Sequence, residues 1–75
     1  MKTTVSERIS IDPRICHGKP VVTGTRVPVG NVVGALSAGQ STAAVLEDYP
    51  TLTEADVQAC LAFASRLAQF EMSVA

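Results

Sequence analysis

Seventy-five residues make one domain at most, and so short a chain buries only about 60% of its unfolded surface. Against that limit, 47% hydrophobic and only 17% charged residues point to apolar surface covered by a second chain. No run approaches the 18 or so apolar residues of a membrane helix, no hydrophobic signal core follows Met1, and Cys16 and Cys60 form no CxxC pair or disulfide framework, which together imply a cytoplasmic protein.

The net charge of −1 conceals a split. Residues 1–40 carry Lys2, Arg8, Arg14, Lys19 and Arg26 against Glu7 and Asp12, which leaves +3. Residues 41–75 carry Arg66 against Glu47, Asp48, Glu54, Asp56 and Glu71, which leaves −4. A front half of this sign suits an anionic partner.

Residues 1–7 read as a flexible N-terminus, followed by a single domain over 8–75. Arg8-Ile9-Ser10-Ile11 alternates as a short half-buried strand does, and Asp12-Pro13 ends it. Gly18-Lys19-Pro20 turns the chain, Val21-Val22-Thr23 is a second strand, and Thr23-Gly24-Thr25 turns it again. This predicts a β hairpin over about 8–27, with Lys19 and Arg26 on or beside its turns. Pro28 suits a helix start. Val29, Val32, Val33 and Leu36 form the apolar stripe of a first helix over about 29–38, which Gly30 and Gly34 weaken and Gly39 stops. Ser41 caps a second helix over about 42–48, closed by Pro50. Thr53, with Asp56 three residues on, caps a third over about 54–70.

The third helix has two apolar stripes. One is Val57, Leu61, Ala64 and Ala68; the other is Cys60, Phe63, Leu67 and Phe70. Together they cover about half the circumference, where a surface helix needs roughly a third. The second stripe therefore predicts a homodimer or partner interface through Phe63, Leu67 and Phe70.

The run Asp12-Pro13, Gly18-Lys19-Pro20, Gly24-Thr25-Arg26-Val27-Pro28-Val29, then Gly39-Gln40-Ser41 and Tyr49-Pro50-Thr51-Leu52-Thr53 with Asp56-Val57, resembles the domain-of-unknown-function family numbered 433 over about residues 8–64. One departure is His17, where the resemblance leads one to expect glycine or another small residue. The resemblance implies a mainly α fold with a small N-terminal β hairpin, a tri-helical helix-turn-helix of homeodomain-like type. It also implies a small prokaryotic antitoxin of Vap-like kind, paired with a PIN-like ribonuclease toxin.

The residues qualify that implication. A helix-turn-helix reads bases with the start of its second helix, and here that start carries Glu54 and Asp56. The expected phosphate contacts are instead Lys19, Arg26, Arg8 and Arg14, supplied by the hairpin to operator DNA. Arg26 has a structural alternative: forking onto Asp12 or a helix C-terminus to pin the hairpin. Cys16-His17 places a nucleophile beside a base, but neighbours on extended chain point to opposite faces and nothing is placed to orient the ring. Cys16, His17 and Cys60 are one ligand short of a closed zinc shell. The expectations are thus no catalytic residue, no metal and no cofactor. The sequence leaves two functions open: an antitoxin that dimerises, covers a PIN-like ribonuclease and regulates its own operon, or a dimeric adaptor with no nucleic-acid role.

Overall fold

The computed structural model describes residues 2–69. Three short strands form an antiparallel sheet in the order β1 (Thr3–Thr4), β2 (Ile9–Ile11), β3 (Val21–Val22). Three helices follow: α1 (Val29–Ser37), α2 (Thr42–Asp48) and α3 (Glu54–Ala68). The fold is mainly α with a small N-terminal sheet, as the residues imply.

The hairpin of β2 and β3 has Ile9 opposite Val22 and Ser10 opposite Val21. The turn that follows β3 is closed by backbone bonds from the Thr25 amide to the Val22 carbonyl and from the Val22 amide to the Val27 carbonyl, both 3.0 Å, and by one hydroxyl. Thr25 Oγ1 donates to the Val22 carbonyl at 2.8 Å and accepts from the Val27 amide at 3.0 Å. Gly24 takes φ +83° between them, a conformation that costs a residue with a Cβ. The sequence predicts a flexible segment over 1–7, yet Thr3 and Thr4 pair with Ile11 and Ser10. A three-residue strand with an open edge offers unpaired N–H and C=O groups, and the preceding chain takes them up. Val5 and Ser6 close the return by donating their amides to the Ile9 carbonyl at 2.9 and 3.1 Å.

Two of the three helices begin at side-chain caps. Ser41 Oγ accepts from the Ala44 amide at 3.1 Å, and α2 runs over its predicted bounds. Thr53 Oγ1 accepts from the Asp56 amide at 3.2 Å while Asp56 Oδ2 accepts from the Thr53 amide at 2.9 Å, a complete capping box. Pro28 stands just before α1 rather than within it, and α1 ends one residue earlier than predicted. The described part of α3 ends at Ala68, and Phe70 lies outside the described residues.

One apolar cluster joins sheet and helices: Ile9, Val22, Val29, Val32, Val45, Leu52, Val57 and Cys60. Each valine or leucine so enclosed contributes roughly 1.5–3 kcal/mol. On α3 the inward positions are Asp56, Val57 and Cys60, whereas Leu61 is turned toward solvent. The stripe pairing Val57 with Leu61 is thereby corrected: the 56, 57, 60 face points inward, and residue 61 lies about 100° further round.

Candidate functional site: a cationic hairpin and an apolar groove

The four predicted phosphate contacts do not share one state. Arg14 is turned back onto Asp12: its amide donates to Asp12 Oδ1 at 2.9 Å, and its guanidinium donates to both oxygens at 3.2 Å. The Arg14 side chain remains largely exposed while Asp12 is buried. The guanidinium hydrogen bond, seconded by the Arg14 amide, holds the Asp12 carboxyl at about 2. Arg8 reaches across to α3, where Nη1 donates to Asp56 Oδ1 at 3.0 Å. Burial pushes the Asp56 carboxyl up, but the Thr53 amide and the Arg8 guanidinium outweigh it and hold the group below its ordinary value.

Lys19 and Arg26 are exposed and join neither ion pair among the described residues. The pairing of Arg26 with Asp12 is corrected here, because Arg14 occupies both Asp12 oxygens. The contact that fixes this region involves the Arg26 backbone: the Cys16 thiol donates to the Arg26 carbonyl at 3.4 Å.

The segment carrying Cys16 is conformationally unusual. Cys16, His17 and Gly18 all lie at positive φ, at 51°, 56° and 81°. Such a left-handed turn suits glycine and costs roughly 1–2 kcal/mol for each residue with a Cβ. It explains why a small residue was expected at position 17. Asparagine-like turn chemistry at Asp12 and the amide bonds Gly18 to Ile15 and Lys19 to Cys16, both 3.1 Å, hold the turn in place. His17 points into solvent. Among the described residues no three of His, Cys, Asp and Glu stand close enough together to hold a metal ion.

Two concavities flank these elements. The first, of about 400 Å3, opens on the sheet side and has Lys2 and Arg26 on its lining with Ser10, Ile15, Val21 and Gly24. Lys2 had no sequence signal for this role, because it sits outside every motif and reaches the cleft through the pairing of β1. The second is a groove of about 320 Å3 between α1 and α3, walled by Pro20, Val29, Val33, Phe63, Ala64 and Leu67. Gly30 forms part of it, and nothing stands within 4 Å of where its Cβ would lie. The sequence reads Gly30 only as a weak helix position; its missing side chain is what leaves the groove open. Of the predicted interface residues, Phe63 is half-buried against the core and Leu67 is 62% exposed, so the α3 wall of the groove is anchored at one end and free at the other.

Cys60 belongs to the core cluster, fully enclosed, and burial pushes its thiol up to about 11, with the Asp56 charge adding to the effect. No helix among the described residues is long and apolar enough to cross a membrane.

Comparison with known proteins adds a family and one relative. Residues 9–64 match the family described as "Protein of unknown function (DUF433)", and the chain belongs to that family. It is also 46% identical over 46 residues to "Uncharacterized protein y4eO" of Sinorhizobium fredii, a stretch covering 61% of this chain and 21% of the relative. The matched stretch thus spans about a fifth of that relative's length. No solved structure matches the chain.

Proposed function

We propose that this DUF433 chain is an antitoxin-type binding protein. It dimerises through the α1–α3 groove, neutralises a PIN-like ribonuclease by covering its site, and meets operator DNA with its hairpin cations. The observation that carries this reading is the groove. Phe63 and Leu67 face Val29, Val33 and the vacancy at Gly30 across about 320 Å3 of apolar space. A second protein chain is the partner that such a surface suits.

The DNA arm is supported by Lys19 and Arg26, the two predicted contacts that no carboxylate engages among the described residues. A helix-turn-helix docking led by α3 is disfavoured by its acidic first turn, Glu54 and Asp56. Arg8 and Arg14 serve intramolecular pairs, which weakens their claim on phosphate and favours the second reading, a dimeric adaptor without nucleic acid. Gel shifts separate the two readings. Lys19→Ala with Arg26→Ala should abolish binding to operator-region DNA while circular dichroism stays unchanged, and each lost phosphate contact should flatten the salt dependence by about one unit of slope per chain. A wild type that shifts no DNA at any salt, alone or with its partner, leaves the adaptor.

A further inference from the structure

The sheet has a second face that the helices do not cover. Ile9 and Val22 join the main apolar cluster, while Val21 is just as buried but lies outside it. Its register partner Ser10 is likewise buried. Their cover comes from irregular chain: the loop carrying Ile15 on one side, and the Gly24 turn with Arg26 on the other. A cleft of about 400 Å3 remains between these covers, and Lys2 and Arg26 line it.

Among the described residues no carboxylate lines this cleft. The nearest acid in sequence on the covering loop, Asp12, is buried and held by three hydrogen bonds from Arg14, so its charge is already met. Lys2 and Arg26 join neither ion pair among the described residues. The cleft therefore combines an accessible aliphatic side chain, Ile15, with two cations that have no anion partner among the described residues. An ammonium and a guanidinium together suit phosphate oxygens, the lysine as a point charge and the arginine as a fork. An aliphatic side chain beside two cations suits the carbon face of the sugar that carries the phosphate, which a duplex and a mononucleotide both expose. The volume is of the size that a small-molecule site requires.

We infer that this cleft binds one nucleotide unit, its phosphate held by Lys2 and Arg26 and its sugar lying against Ile15. The inference rests on the nucleic-acid arm of the function proposed above, which it sharpens by adding Lys2 and removing Arg8 and Arg14. The same chemistry comes from two sources, a strand of DNA or a free mononucleotide.

The rigidity of the cleft favours such binding. Thr25 Oγ1 bonds on both sides of the Gly24 turn, and the Cys16 thiol fixes the Arg26 carbonyl. The Arg26 backbone is thus placed before any ligand arrives, and only its side chain has to order.

The test is a titration of the full chain followed by amide NMR shifts, once with 5′-AMP and once with a mixed-sequence duplex. Shifts at Ser10, Gly24, Thr25 and Arg26 with either probe are expected, and the probe that gives them names the source. Lys2→Ala with Arg26→Ala should weaken that binding by at least about tenfold. Both side chains are exposed, so the variant is expected to fold. Lys19→Ala, outside the cleft, should leave the cleft shifts in place. Absence of cleft shifts with both probes overturns the inference. If the duplex binds but shifts only residues around Lys19, the cleft assignment falls and the DNA arm stands. If neither probe shifts any residue, both fall together.

Discussion

Arg8 Nη1 and Asp56 Oδ1 stand 3.0 Å apart, joining residues separated by 48 positions and tying strand β2 to the first turn of α3. Asp56 holds the capping box with its other oxygen, so one carboxylate both starts a helix and anchors it to the sheet. Asp56→Ala should cost about 2 kcal/mol, the sum of a lost cap and a lost pair. Thr53→Ala should cost about 1 kcal/mol, and Ser41→Ala a similar amount on the shorter α2. A double-mutant cycle of Arg8→Ala and Asp56→Ala should give a coupling of no more than about 1 kcal/mol, because Arg8 is partly exposed. A coupling well above that by denaturant unfolding would contradict this account and mean that the pair is more enclosed than its exposure implies.

Acid should weaken the fold in a defined window. Asp12 and Asp56 both titrate below their ordinary range, Asp12 at about 2. Below about pH 4 the unfolded chain therefore binds more protons than the folded one. The stability these groups contribute is complete above that value and is lost as pH falls through their folded values. Melting midpoints should drop between about pH 4 and pH 2, and Asp12→Asn should shallow the drop. An identical profile for that variant would remove Asp12 from the acid response.

The helix starts and stops were legible because they are local. Ser41, Thr53 with Asp56, and Pro50 each act within four residues of themselves, and α2 came out at its predicted bounds. The Arg8–Asp56 pair has no such local signature; it exists only once sheet and helix have packed. The Asp12–Arg14 pair is local, closed by the side chain two residues on, and it occupies the carboxylate that was one of two structural partners open to Arg26. Strand β1 escaped because Thr3-Thr4 carries no alternation, and its pairing depends on the open edge of β2. The groove was half legible: an over-wide apolar face announced Phe63 and Leu67, but the facing wall on α1 required the crossing of two helices.

The left-handed turn gives a stability prediction of unusual sign. His17 sits at φ +56° with its side chain exposed, and among the described residues its imidazole makes no hydrogen bond or ion pair that glycine would lose. His17→Gly should stabilise the protein by about 0.5–1 kcal/mol, the relief of left-handed strain less the entropy glycine adds to the unfolded chain. A lower melting midpoint would mean that the side chain makes a contact in solution.

The two thiols should separate by reactivity. Cys60 is fully enclosed, and burial pushes its ionisation up to about 11. Cys16 is half exposed. An alkylating reagent should modify Cys16 in the native protein and reach Cys60 only after unfolding, as read by mass spectrometry. Above about pH 9 the unfolded Cys60 thiol ionises first, so stability should decline toward pH 11, and Cys60→Ala should remove that decline at the cost of a cavity.

Gly30 allows the groove to be filled without disturbing the core. No atom lies within 4 Å of its Cβ position, and its replacement should raise helix propensity by up to about 1 kcal/mol. Gly30→Leu should therefore melt no lower than the wild type and yet be monomeric by light scattering at high micromolar concentration, where the wild type should be a dimer. Leu67→Glu should do the same from the opposite wall. A wild type that is monomeric under those conditions would remove the groove from self-association.

Co-expression with the untagged product of a neighbouring PIN-like reading frame decides whether this chain acts as the proposed antitoxin. The tagged wild type should carry that protein through purification in a fixed ratio and suppress its ribonuclease activity. Gly30→Leu and Leu67→Glu should lose most of both effects while remaining folded. If the two wild-type proteins elute apart and the ribonuclease is as active with this chain as without it, the antitoxin account is contradicted.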